Sequence, residues 1–252
     1  MTTKPKLILY VFSISHYCEK AKWALDYLGF DYQVKVLLPG LHMVFAKKLG
    51  LNGSSLPFLQ IDDLAIQGSS EIIDWAEKNS SISNTTLALA TTSTKPEELE
   101  KRLDDVLGVH LRRYFYSEAL VDYPETVKPI FAEGLTFIEK IKLSMMWPTV
   151  CKKMIARMNL GEEQRVESQK LIESELDYLD KLLSDGRSYL FEDKFSRVDL
   201  TASSLLGIIV SSPEHPAQDN FVLPPMASKL AKEWSNRPTF KWVLNMYAKH
   251  RR

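Results

Sequence analysis

The sequence predicts an α/β domain followed by an all-α domain, and three observations carry that prediction. Strand and helix patterns alternate from residue 7 to about residue 79. From about residue 94 only helical periodicity is found, and a Ser/Thr-rich stretch lies between the two. The expected organisation is an α/β domain over 1–79, a linker over 80–93 and an all-helical domain over 94–252.

Local pattern supports each element. Residues 7–12 form an unbroken apolar run, as a strand buried on both faces requires. Helix follows over 16–28, with Cys18, Ala21, Leu25 and Leu28 on the inner face, Glu19, Lys20, Lys22 and Asp26 elsewhere, and Gly29 as a left-handed terminator. Tyr32, Val34, Val36 and Leu38 alternate with polar residues as a second strand, which Pro39-Gly40 stops. A short helix over 42–49 and a loop over 50–55 precede a hairpin, with strands at 56–61 and 64–67 around Asp62-Asp63. Ser69 or Ser70 then caps a helix bearing Ile72, Ile73, Trp75 and Ala76. The order β-α-β-α-β-β-α implies a parallel crossover completed by an antiparallel edge.

In the second half, Thr94-Lys95-Pro96-Glu97 is a helix-start pattern. Leu99, Leu103, Val106, Leu107, His110, Leu111 and Tyr114 continue one face. Further helices are expected near 125–142, 146–159, 162–184, 197–210, 226–235 and 238–248. In the 162–184 helix, Ile172, Leu176, Leu179 and Leu183 form a stripe. Met145, Met146, Met154, Met158 and Trp147 are read as helix core.

Composition narrows the function. The 252 residues carry 32 Lys+Arg and 32 Asp+Glu, so the chain lacks the positive footprint of a nucleic-acid binder. Hydrophobic residues at 45% and charged residues at 25% are the mix of a globular protein. No apolar run reaches membrane-spanning length, and the first residues show no signal-peptide pattern. Cys18 and Cys151 stand far apart and the histidines lack ligand spacing, so no metal site is expected and a reducing, cytoplasmic setting is. Asn84-Thr85-Thr86 matches a glycosylation sequon but is read as polar linker.

Three places offer chemistry. In Ser13-Ile14-Ser15-His16-Tyr17-Cys18 a strand runs into a helix N-terminus, where open N–H groups and a hydroxyl stabilise an anion; Ser15 alternatively only caps the helix. Cys18 is in phase with the core, and with Ser at position 15 no dithiol exchange is available, though monothiol chemistry is. Pro57 at a strand opening suggests either a cis bond that turns Leu56's backbone outward or an ordinary trans edge proline. Gln67-Gly68-Ser69-Ser70 is a carboxylate-sized anion site or a plain cap. Nucleophile elbows and glycine-rich phosphate loops are absent.

Together these residues resemble the soluble glutathione transferases of the serine type, with a thioredoxin-like N-terminal domain followed by an all-helical C-terminal domain. The resemblance is carried by Ser15 through Leu25 after the first strand, Leu56-Pro57, Gly68-Ser69, and Ser196-Arg197-Val198-Asp199, which is similar to the family's capping box. It implies that Ser15 activates the thiol of glutathione, that Leu56 pairs its backbone with the cysteinyl part beside cis Pro57, and that Ser69, following Gly68, holds the γ-glutamyl carboxylate. Glutathione is thus implied as co-substrate rather than cofactor, with an apolar electrophile as partner and a cytoplasmic homodimer as the assembly. Gly68 stands where the family has an acid, with Gln67 and Glu71 nearby; Tyr10 and Tyr17 compete with Ser15 as the activating hydroxyl. His42, Lys47 and Lys48 are options for the glycyl carboxylate, and Tyr114 and Tyr116 for the electrophile pocket. The rival functions are a non-catalytic binder of glutathione or apolar ligands, and a thiol reductase using Cys18.

Overall fold

A computed structural model describes residues 5–82, 85–89, 93–217 and 222–251, so Asn84 of the sequon lies outside the described residues. Packing divides the chain into two units. One holds the residues up to Thr86 together with Lys128–Val150, and the other holds Leu87–Val127 together with the residues from Cys151 onward.

The first unit has the expected thioredoxin-like order: β1 (Leu7–Val11), α1 (His16–Tyr27), β2 (Gln33–Val36), α2 (Leu41–Lys48), β3 (Phe58–Ile61), β4 (Leu64–Gln67) and α3 (Ser69–Asn79). The sheet runs β2-β1-β3-β4, with β1 parallel to β2 and antiparallel to β3, and β3 antiparallel to β4. Leu9, Val11, Leu25, Phe58, Leu59, Ile72 and Ile73 are shut off from solvent and form its core. Each such aliphatic side chain contributes roughly 2 kcal/mol by burial.

Several expectations need correction. β2 is an edge strand whose Val34 is exposed, and burial passes instead to Leu37 and Leu38 just beyond it. Glu19 and Lys20 are buried, although helix patterning put them outside. The cap of α3 is Gly68 rather than a serine, because the chain turns there at φ +103°, a conformation that glycine adopts without steric cost. Thr94 makes no cap bond to the helix backbone; its hydroxyl donates to Glu98 rather than meeting Glu97.

The helices expected at 125–142 and 146–159 are divided differently, as α6 (Pro124–Phe131) and α7 (Phe137–Met158). Gly134, at φ +75°, breaks the run. Thr136 and Glu139 restart it: the Thr136 N–H and hydroxyl donate to Glu139 Oε2 at 2.9 and 2.7 Å, and the Glu139 N–H returns to Thr136 Oγ1. Pro148 lies inside α7 without ending it. Trp147 is buried as expected, but Met145 and Met146 are exposed.

In the second unit α4 (Lys95–Arg102) passes through a π-helical segment, Leu103–Gly108, into α5 (Val109–Ala119). Then come α8 (Glu162–Leu183), α9 (Arg197–Val210), α10 (Pro225–Trp234) and α11 (Pro238–His250). The predicted stripe of Ile172, Leu176, Leu179 and Leu183 is buried, as are Leu103, Leu107, Leu111 and Tyr114. Helix α9 is almost wholly buried. Asp199 sits at its start, fully enclosed, and accepts from the Ser196 N–H at 2.9 Å, the Ser196 hydroxyl at 2.6 Å and the Leu190 N–H at 2.7 Å. The predicted capping box is present.

Candidate functional site

Sheet register brings the three predicted places to one end of the first unit. Tyr10 pairs with Phe58 and Phe58 with Gln67, so β1 ends where β3 begins and β4 ends. Extending that register by two residues sets Phe12 opposite Leu56. Gly68 donates its N–H to Pro57 O at 3.0 Å, which fixes the start of α3 beside the start of β3.

At the β1–α1 turn, Ser15 caps α1. It has extended backbone, and its Oγ accepts from the Cys18 N–H at 3.3 Å. A serine hydroxyl that accepts still keeps one proton to donate, so capping and anion stabilisation are compatible there. Cys18 is buried, and burial pushes its thiol pKa up, outweighing the hydrogen bonds to Ser15 and the Phe12 backbone that pull it down. Tyr10 is committed elsewhere: its hydroxyl donates to Gln60 Oε1 at 2.8 Å, and burial raises its pKa.

The Leu56–Pro57 peptide bond is cis. At α3 the cap residue is Gly68, which has no side chain to bond the first turn. Ser69 is buried, and Ser70 Oγ accepts from Lys20 Nζ at 3.0 Å. Lys20, fully buried, therefore adds a positive charge behind the start of α3. Glu71 folds back so that its carboxylate occupies the space a Cβ at Gly68 would fill. Gln67 is used in holding the preceding loop: its Oε1 accepts from the Gly53 N–H, and its Nε2 donates to Ser55 O at 2.8 Å.

One wall of this end comes from far along the chain. Ser13 Oγ donates to Glu133 O at 3.1 Å. The Phe131 ring lies 6.5 Å from Phe12 and 5.4 Å from Trp147, and Phe12 meets His42 edge-on at 5.0 Å. His42 Nδ1 accepts from the Gly40 N–H, while Lys47 and Lys48 are exposed on α2.

Ser15, Leu56, Pro57, Gly68 and Ser69 are thus gathered at one sheet end. Tyr114 and Tyr116 lie on α5 in the second unit, both buried; Tyr114 hydrogen-bonds Arg165, and burial raises its pKa. Sequence reasoning missed Lys20, although it falls one turn before the buried Trp23 and Ala24 and so shares their face. It also gave no sign that the buried Phe131 and Trp147 pack behind Phe12, since helix periodicity does not say what a buried face meets. Among the described residues no group of three His, Cys, Asp or Glu side chains is placed to hold a metal ion, and no helix is long and apolar enough to cross a membrane.

Comparison with known proteins agrees with the fold. Residues 9–84 match the family described as the N-terminal domain of glutathione S-transferase. The fold is shared with glutathione transferase GSTFuA3 of Phanerochaete chrysosporium, at TM-score 0.64 and 14% identity, covering 98% of this chain and 97% of that one. A glutathione S-transferase of Ceriporiopsis subvermispora, in complex with glutathione, aligns at TM-score 0.60 and 13% identity, covering 97% of each. The β-etherase LigF of Sphingobium aligns at TM-score 0.59 and 18% identity, covering 95% of this chain and 99% of that one. No curated protein sequence matches the chain. Residues 9–84 thus match the N-terminal domain of glutathione S-transferases in sequence, and the chain shares the fold of such structures along its length.

Proposed function

We propose that the chain is a glutathione transferase that binds glutathione at this sheet end and transfers its sulfur to an apolar electrophile. The observation that supports the reading is that Ser15 at the start of α1, the cis Leu56–Pro57 bond and the start of α3 all lie at the same end of the sheet. The γ-glutamyl carboxylate takes the α3 N-terminus with Ser69 and the charge of Lys20. Glu71, folded over Gly68, replaces the missing acid as partner of the glutathione amino group. The main chain of Leu56 pairs with the cysteinyl residue, and the Ser15 hydroxyl with the α1 N-terminus favours thiolate over thiol. The thiol proton leaves to solvent. The sulfur lone pair then forms a C–S bond while the leaving group departs with its bonding electrons. Phe12, backed by the buried Phe131 and Trp147, offers an apolar surface for the electrophile beside this end of the sheet.

A reductase using Cys18 is disfavoured, because its thiol is buried and its pKa is raised rather than lowered. The test separates Ser15's two roles. Ser15→Ala removes both cap and donor, whereas Ser15→Asp keeps a capping acceptor without a proton to give. With a chloronitrobenzene and a β-aryl ether as electrophiles, both variants should lose turnover while Ser15→Asp unfolds near the wild-type temperature. Full turnover in Ser15→Asp would refute the donor role. Glutathione binding without turnover by the wild type would favour the non-catalytic binder.

A further inference from the structure

Helix α7 carries two apolar stripes, and only one is used by the fold. Leu143, Trp147 and Val150 are buried. At about 100° per residue, Phe137, Ile138, Ile141 and Met145 fall within one arc on the opposite side of the helix. They are 78%, 64%, 47% and 79% exposed. Two nearly bare large side chains on one convex face are unusual for a chain that gains stability by burial. The apolar surface continues onto α2, where Val44 and Met43 are exposed and Gly40 lies against Met146.

The charge around this surface has one sign. The same helical geometry places Lys140 and Lys142 on the two flanks of the exposed arc. Over residues 33–48 and 128–149, every exposed charged side chain is a lysine: Lys35, Lys47, Lys48, Lys140 and Lys142. The two acids there, Glu133 and Glu139, are half-buried. The chain as a whole is balanced, so this is a local segregation.

We propose that this face of α7 docks on an anionic lipid surface, with Phe137, Ile138, Ile141 and Met145 in the acyl boundary and the lysines at the headgroups. An apolar stripe edged by lysines is the pattern of a helix lying in a bilayer interface. Two copies meeting through the face would oppose lysine to lysine. A protein partner would have to supply pockets for side chains that stand out from a convex helix. A lipid surface meets both demands, since it is negative and adapts to protruding groups. The proposal is independent of the reading of the glutathione site.

The test is co-sedimentation of the full chain with vesicles of phosphatidylcholine, with and without phosphatidylserine. Binding should require phosphatidylserine and weaken as salt is raised. The double variant Lys140→Glu/Lys142→Glu should bind at least about tenfold more weakly, since each cationic side chain adds attraction near such a surface. Phe137→Ser/Met145→Ser should lose about as much through the apolar contribution. All four positions are exposed, so thermal unfolding should be unchanged in both variants. No binding to phosphatidylserine vesicles at low salt, equal binding to both vesicle types, or indifference to the charge reversal would overturn the proposal. So would self-association in sedimentation velocity that Met145→Ser abolishes, because the face would then join copies of the chain.

Discussion

Helices α9 and α3 start in opposite ways. At α9 the chain enters a core, and Asp199 gathers three donors around a fully buried carboxylate. At α3 the cap is Gly68, no side chain closes the first turn, and a buried lysine stands behind it. A helix start that must survive inside a protein is closed from within. Under the proposed function the start of α3 instead receives the glutathione carboxylate, which its partial positive charge favours. One local problem, the unpaired N–H groups of a helix start, is solved by a buried carboxylate at α9, and under the proposed function by a ligand at α3.

The sharpest way to break this contrast is to open α9. Asp199→Ala strands the buried Ser196 and Leu190 N–H groups and should cost about 4 kcal/mol in denaturant unfolding, at about 1–3 kcal/mol for each unsatisfied group. A loss below about 1 kcal/mol would mean that water or another group satisfies them.

Next in size is a pH effect at the same residue. Burial raises the Asp199 pKa from 3.8 to about 6. The folded chain therefore holds this proton more tightly than the unfolded chain. The associated stability is fully present below the ordinary value and is lost as pH rises through about 6, a change of about 3 kcal/mol. Unfolding curves of wild type and Asp199→Asn between these limits should diverge by that amount, and parallel curves would show that the carboxylate is not desolvated.

Ser69→Ala should do the reverse of Asp199→Ala. Glutathione binding should weaken about fivefold, or about 1 kcal/mol, with almost no change in unfolding, because no cap bond is lost. Equal losses in both measurements would erase the contrast between the two helix starts. The smallest expected effect is that of Glu71→Gln, a loss of about twofold to threefold in glutathione affinity, as for an exposed charge pair. Tighter binding by this variant would instead mean that Glu71 repels the tripeptide carboxylate.

Much of the fold was legible because it is written locally. The apolar run of β1, the hairpin around Asp62 and the α9 capping box each depend on neighbours a few residues away. The signal Thr136-Phe137-Ile138-Glu139 was equally local, yet the helix run was divided after residue 142 rather than at Gly134. Lys20 is a different failure. Its charge argued for the surface, whereas its phase with Trp23 and Ala24 argued for the interior, and the Ser70 hydroxyl resolved the conflict. The aromatic wall beside Ser13 could not be read at all, since periodicity says that Phe131 and Trp147 face something without saying what. Of the site, the serines, Pro57 and Gly68 were visible as residue types at turns, while the shared sheet end that unites them is a property of strand register.

The most direct measurement is the ionisation of glutathione bound to the chain, followed by thiolate absorbance against pH in wild type and Ser15→Asp. The account predicts a bound thiol that ionises about two pKa units below free glutathione, equivalent to about 2.7 kcal/mol, with most of that shift gone in the variant. An unshifted thiol in the wild type, or the same shift in both proteins, would contradict it.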